Sequence, residues 1–439
     1  MILRPMDTGL KIRMSPCLGL YVIANLLRNT HDVIVESENV QKLNLKQKVD
    51  LVGISVTVDT LDRAIEIAQK YKALNIPVIA GGIHISACAE ECLQYFDAVC
   101  AGPCETVLPQ MINDLQSGNL QKIYYCKQPL SAENIVSPAY DLIKNSKYLY
   151  CNIIFTSYGC PYKCKFCYNS CEAYKDIYVQ KPIEQVLSEI KQINRRHVMF
   201  IDDNFIGNPT YTMQLLQAIK PLKIKWNAAV SANIVDMPDL LDEMQVSGCQ
   251  GLFIGFESLR KTALENVNKY QNQTEKYEKL VYEIHKRGIM INASFVFGLD
   301  GDDKTVFDET VKWIIDNKIE TVTSHILTPY PGTELYEKLL KENRITCFDY
   351  SKYNTSNVVF IPQNMTAEEL RKGYLRVYKK VYSFKNIFKR IPAAKKQRKP
   401  YLFFNFFYRK FGKFSNIVCQ IFGYKRIAFL AAKMSKYEK

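Results

Sequence analysis

The chain has 439 residues, enough for two or three domains, and its 47% apolar and 23% charged content is ordinary for a globular protein. No apolar run reaches the roughly 18 residues of a membrane-spanning helix, and the opening "MILRPMDTGLKIRMSP" is too polar for a secretory signal. The expectation is therefore a cytoplasmic protein, whose 14 cysteines serve metal binding or stay buried as thiols.

In chain order, "DLVGISVT" (50–57) reads as a buried strand. It is followed by a helix with Leu61, Ala64, Ile65, Ala68 and Tyr71 on one face. "PVIAGG" (77–82) and "DAVCAG" (97–102) are further strands, with helical stretches at 87–93 and 105–115. Alternation at this spacing predicts a doubly wound parallel sheet in a first domain, 1–126. Because the chain opens at "MILRP", a first strand is expected to be short or missing. A polar linker over 127–149, with Pro129 and Pro138, leads to a second domain, 150–345. Its expected strands are 151–157, 197–202, 224–230, 251–256, 290–297 and 321–327. The clearest helix is 183–193, where Ile183, Val186, Leu187 and Ile190 share a face behind Pro182. Six β/α units fall short of a closed eight-stranded barrel, so an open partial barrel is expected. A third region, 346–439, begins with a helix from Ala367 carrying a capping signal at Thr366 and Glu369. The net charge of +14 lies in its tail: from Lys385 onward there are 15 Lys/Arg and one acid, Glu438, while the first 384 residues balance. Such asymmetry suggests an appendage that meets something anionic.

The densest chemistry is "GCPYKCKFCYNS" (159–170), with Cys160, Cys164 and Cys167 at C-x3-C-x2-C just after the first barrel strand. The carboxyl ends of barrel strands are where reaction sites form. Close thiolates select zinc or iron–sulfur. A structural zinc wants four closed ligands, and no second C-x2-C exists here. Three thiolates on one loop suit a [4Fe-4S] cubane with one iron left open. Cys171, just outside the pattern, reads as an ordinary thiol.

This motif, with Phe166 directly before the third cysteine, resembles the signature of radical S-adenosylmethionine (radical SAM) enzymes. The resemblance implies a six-unit partial barrel and a cluster whose open iron chelates S-adenosylmethionine. Electron transfer then yields a 5′-deoxyadenosyl radical. It places Phe166 near the adenine. "MFIDDNF" (199–205) resembles the second-strand motif, which assigns Asp202 and Asp203 to the methionyl amino group, although the usual Gly-Gly-Glu is absent. "FIGFES" (253–258) resembles the fourth-strand motif, with Glu257 on the ribose or amino group. "INASFVFGLDGDD" (291–303) resembles the fifth, with Ser294 facing the ribose. These acids have a plainer reading as helix caps or as partners of one another.

"VGISVT" (52–57), "VIAGGIH" (78–84) and "AVCAGPCETVLPQ" (98–110) resemble the Rossmann-like cobalamin-binding domain of one large subclass. The resemblance assigns Ser55, Thr57, Gly81, Gly82, His84 and Gly102 to the corrin cradle. No histidine has Asp two residues before it. A bound cobalamin would therefore lack a protein histidine beneath the cobalt.

The function implied is a cobalamin-dependent C-methyltransferase acting on an unactivated carbon of a small, hydrophobic or lipid-like substrate. An electron donor such as flavodoxin or ferredoxin would serve it. The alternatives are radical oxidation, cyclisation or rearrangement without methyl transfer, and a non-catalytic Fe–S or corrinoid-binding protein. "KPYLFFNFFYRKFGKF" (399–414) has the composition of a peripheral membrane contact or of a packed cover with a basic face, and nucleic acid is not expected.

Overall fold

The computed structural model describes residues 1–4, 15–126, 130–148 and 150–410. The tail beyond 410, with part of the basic aromatic stretch, and residues 127–129 and 149 of the linker lie outside these.

The first sheet holds β1 (Ile2–Arg4), β2 (Val35–Ser37), β3 (Val52–Ser55), β4 (Val78–Gly81), β5 (Ala98–Ala101) and β6 (Ile123–Tyr125). All neighbours are parallel, in the order β2-β1-β3-β4-β5-β6. The first strand is short but present, and lies inside the sheet. The chain runs outward from β1 to β2 and then crosses back to β3. That switch point is where doubly wound sheets place ligands, beyond the carboxyl ends of their strands. Val52, Ile54, Val78 and Ala80 pack on Leu61, Ala64, Ile67, Ala68 and Tyr71 of helix Leu61–Lys72. Ile65 is only partly buried, and Ile67 fills the core instead. The helix expected over 87–93 is two short ones, Ile83–Ala87 and Ala89–Cys92, broken at Cys88. The next begins at Leu108, not Glu105, because the chain first turns at Gly102, with φ +94°.

The second sheet contains β7 (Ile153–Ile154), β10 (His197–Phe200), β11 (Lys225–Val230), β12 (Cys249–Glu257), β13 (Met290–Phe297) and β14 (Thr321–Ile326). Its order, β14-β13-β12-β11-β10-β7, is wholly parallel and leaves β7 and β14 as edges, so the barrel is open. The strand expected over 151–157 contracts to two residues. The backbone N–H and hydroxyl of Thr156 and the hydroxyl of Ser157 all donate to Asp202 Oδ1, at 2.8, 2.9 and 2.8 Å, and turn the chain there. Ser157–Gly159 then becomes β8, antiparallel to β9 (Tyr178–Gln180), and this hairpin frames residues 160–177.

The outer sheet face (Phe200, Trp226, Ile254, Phe295) is buried under the helices, while Asn227, Phe253, Asn292, Val296 and His325 line the inner wall half-buried. Helix Ala367–Val381 starts at the expected capping box of Thr366 and Glu369. It covers the β14 edge: the Tyr378 hydroxyl bonds the Ser324 N–H and carbonyl, and the Tyr382 hydroxyl bonds those of Val322, all within 3.1 Å. Exposed edge groups are thereby satisfied. Among the described residues no helix is long and apolar enough to cross a membrane.

One buried ion pair fastens the connection between the sheets. Lys181 Nζ lies 2.7 Å from Glu189 Oε1, both side chains fully buried, and 3.6 Å above the Phe155 ring. Ser137 and Tyr140, upstream of the barrel, donate to the same carboxylate at 2.6 and 3.1 Å. Lys181→Met strands that charge and is expected to cost about 3–5 kcal/mol. Thermal melting should show a clear drop, partly recovered when Glu189→Leu is added.

Candidate active site

The loop of residues 160–177 is held at its base. Gly159 has φ +73°, and a Cβ added there would lie 1.9 Å from the Ile177 carbonyl, so glycine is required. Within the loop, Lys165 N–H donates to the Val267 carbonyl at 3.1 Å, and Leu335 N–H donates to the Lys165 carbonyl at 3.0 Å. The Ser170 hydroxyl reaches the carbonyls of Cys164 and Cys167. Asn233 donates to the Tyr162 hydroxyl at 2.9 Å, tying the loop to the end of β11.

Burial pushes the Cys160 thiol up to about 11 and Cys167 up to about 12, and raises Cys164. Gln271 Nε2 donates to Cys164 Sγ at 3.6 Å, and the backbone of Tyr162 and of Asn169 partly offsets the rise at Cys160 and at Cys167. Donors of this kind favour thiolate over thiol and tune iron–sulfur potentials. Three thiols on one loop, with no fourth cysteine in the pattern, are the donor set that a [4Fe-4S] group takes, each thiolate on a different iron. Cys171 is buried beside Cys88, away from this set, with its thiol raised by burial.

Two acids separate into different roles. Asp202 is the buried rivet between the ends of β7 and β10, its carboxyl raised by burial, and it does not face the cysteines. Asp203 does: its charge bears on Cys160 and Cys167, and its carboxyl is raised by burial, an effect that Asn169 partly offsets. Glu257, at φ +61°, takes Lys269 Nζ at 2.6 Å. Burial opposes the Lys269 charge, but Glu257 and Cys164 outweigh it and raise the ammonium. Lys269 also lies 5.8 Å from the Phe166 ring centroid and lowers the Cys164 thiol. Sequence reasoning missed Lys269 and Gln271. They follow the fourth strand by more than ten residues, and no spacing rule points back from them to the cysteines. Ser294 is buried on the inner wall, in register with Gly255 and Thr323.

The first domain meets this loop directly. The Tyr158 hydroxyl donates to buried Glu105, Tyr174 lies 3.3 Å from Ser86 Oγ, and Gly102 N–H donates to Ser86 at 3.0 Å. Tyr168 stacks on Tyr330 at 4.8 Å. A Cβ on Gly332 would lie 2.7 Å from Ala87. The residues assigned to a corrin cradle lie along this seam, with their small size used partly by the chain itself. A Cβ on Gly82 (φ +102°) would meet Val56 O at 2.7 Å, and one on Gly102 would meet Cys126 at 3.1 Å, whereas Gly81 has ordinary contacts. Thr57 caps the turn Val58–Thr60 and donates to Asp59, and the Ser55 hydroxyl lies beside Gly82. His84 is buried edge-on to Tyr350 at 5.5 Å, and burial pushes its imidazole down to about 4. His84 Nδ1 and the Tyr168 hydroxyl are both buried without partners among the described residues. Two orphaned polar atoms at the seam suit a cofactor edged with amides, as a corrin is.

Comparison with known proteins agrees with this geometry. The family model described as the Radical SAM superfamily matches residues 154–314, and that described as the B12 binding domain matches 15–112. A domain of unknown function, DUF4070, matches 333–412. The chain is 29% identical over 390 residues to bacteriochlorophyllide d C-12(1)-methyltransferase of Chlorobaculum tepidum, spanning 86% of this chain and 85% of that one. It is 27% identical to hopanoid C-2 methylase of Rhodopseudomonas palustris, spanning 79% and 68%. The radical S-adenosylmethionine methyltransferase TsrM from Kitasatospora setae superposes with TM-score 0.64 at 17% identity, over 78% of each chain.

Gly159→Ala is expected to spoil the loop, so that anaerobic reconstitution leaves iron near zero, as in Cys160→Ala. Cys171→Ala should retain about four irons per chain. His84 gives a pH signature. The unfolded imidazole binds its proton near pH 6.5 and the folded one near 4. Stability is therefore fully present above about 6.5 and falls by up to about 3 kcal/mol as pH drops toward 4. Urea midpoints at pH 5 and 7.5 should differ less in His84→Gln.

Proposed function

The chain belongs to the radical S-adenosylmethionine enzymes that carry an N-terminal cobalamin-binding domain, and from that premise we propose that it is a cobalamin-dependent C-methyltransferase acting on an unactivated carbon of a hydrophobic small molecule. The observation that carries this reading is the position of the three clustered thiols. They lie just after the first strand of an open barrel, and the adjoining Tyr158 and Tyr174 reach Glu105 and Ser86, beyond the carboxyl ends of β5 and β4 in the other parallel sheet.

Cys160, Cys164 and Cys167 would hold the [4Fe-4S] group. The residues along the seam, His84 and Tyr168 foremost, would hold the corrinoid. When bound, these groups and S-adenosylmethionine supply the electron, the hydrogen-abstracting adenosyl group and the transferable methyl group. The protein's own part is to bind, orient and exclude water. Phe166 offers a flat apolar face beside the cysteines, and Asp203 offers negative charge to the cationic parts of S-adenosylmethionine. Lys269, neutralised by Glu257, keeps a positive charge near Cys164 without leaving it unpaired in a buried site. Ser294 and Thr323 place hydroxyls on the inner wall.

Apolar patches on that wall, among the polar Asn227, Asn292, Ser294, Thr323 and His325, support a substrate with a large apolar surface. Met199 and the adjoining Ile201 are 36% and 41% exposed, although β10 lies within the sheet. With Phe253 and Val296 they make an apolar lining open to a ligand. The relatives named for bacteriochlorophyllide d and hopanoid substrates, two large and mainly apolar ring systems, support the same reading. A small flavodoxin or ferredoxin is the electron donor that we assign.

Anaerobic turnover tests the proposal. With a suitable substrate, methyl transfer yields S-adenosylhomocysteine and 5′-deoxyadenosine together. 5′-Deoxyadenosine alone would contradict methyl transfer, and neither product would contradict catalysis. Asp203→Asn is expected to lower 5′-deoxyadenosine formation by about 10-fold or more while retaining iron, the loss of one charge-assisted contact.

A further inference from the structure

The last two described helices present an aromatic, basic face that the catalytic reading leaves unused. Helix Phe384–Lys389 carries Phe384 and Phe388 one turn apart, 51% and 57% exposed. Both rings meet Phe406 of helix Lys395–Lys410, at centroid distances of 5.9 and 6.4 Å. Phe403 and Phe404 of that helix are 56% and 48% exposed. The other side of both helices is fixed. Ile387, Tyr401 and Asn405 are buried. The buried Arg390 guanidinium donates to the carbonyls of Ile319, Glu320 and Val381 and to Asn405 Oδ1, at 2.6 to 3.2 Å. The aromatic face is therefore held outward by its own anchoring, at the amino end of β14 and opposite the cysteines.

Along the chain the charge here has one sign: from Leu370 to Lys410 there are 14 Lys/Arg and no Asp or Glu, of which Arg390 is buried and Lys372, Arg376 and Lys380 pair with Glu368 and Asp308. Lys385 and Lys389 flank the first pair of rings, and Lys399 and Lys396 lie one and two turns before Phe403, all exposed. Clustered half-exposed aromatics mark an interaction surface, and a basic border selects an anionic partner.

We propose that this face docks peripherally on an anionic lipid bilayer, with the phenylalanines entering the interface and the lysines meeting headgroups. Docking of two copies through it would oppose like charges across the contact. Single-stranded RNA is disfavoured because the rings of the two helices pack on one another at 57° and 66° and do not offer flat faces in series. A docked chain would hold its barrel mouth away from the lipid. The proposal does not depend on the methyltransferase reading: vesicle binding needs no turnover, so either can fail alone.

Flotation of the full chain with vesicles tests it, using phosphatidylcholine alone or with about one third phosphatidylglycerol. Binding to the anionic vesicles and its loss at high salt are expected. Lys385→Gln with Lys389→Gln should lower partitioning about 25-fold, at about fivefold per charge. Phe388→Ser with Phe404→Ser should abolish it at unchanged charge, with circular dichroism showing the fold retained. Equal binding to neutral vesicles, or undiminished binding by either variant, would overturn the proposal. So would preference for a single-stranded RNA oligonucleotide, or a dimer lost in the Phe variant without vesicle binding.

Discussion

Three thiols within eight residues, Cys164 buried and Cys160 and Cys167 half-buried, carry charge only if something stabilises it. Burial raises every one of these thiols, yet a metal group needs thiolates. The fold answers with the Gln271 amide on Cys164, with backbone of the loop that offsets the rise at Cys160 and Cys167, and with Lys269 nearby. The loop backbone and Gln271 serve the sulfurs only while the loop holds shape. Gly159, the β8–β9 hairpin and the backbone bonds from Lys165 to Val267 and Leu335 provide that shape.

The same loop is where the two sheets meet. Tyr158 reaches Glu105, Tyr174 lies against Ser86, and the loop after β14 presses Gly332 on Ala87. The carboxyl edges of the two sheets therefore face one another across the cysteines. A methyl carrier on one sheet and a hydrogen-abstracting group on the other would share one substrate space. The apolar inner wall at Met199 and Ile201 borders that space. The C-terminal helices seal the β14 edge with two tyrosine hydroxyls, so the barrel stays open without leaving a bare sheet edge.

Much of this was legible in the sequence, because periodicity reports burial. The strands from β10 to β14 and the Thr366 capping box follow from local pattern alone. What escaped depends on contacts distant along the chain. Strand β7 is cut short by Asp202, 46 residues away in sequence from Thr156. Asp202 and Asp203 are neighbours with the same chemistry, yet one turns into the protein and the other toward the cysteines. Only the register of β10 decides which. Glu257 was readable as an acid at a strand end, but its partner Lys269 was not, since pairing across a turn leaves no periodic trace. Gly82 and Gly102 invited a cofactor explanation, and the turns themselves favour glycine there through the positive φ of both and the Val56 backbone against Gly82.

The central claim is that one iron of the cluster has no sulfur ligand from the chain and takes S-adenosylmethionine instead. Mössbauer spectroscopy of the iron-57 reconstituted protein, before and after adding S-adenosylmethionine, tests it most directly. The account predicts that one iron in four acquires a distinct, higher-coordinate signal on addition. Four irons that stay equivalent would contradict it.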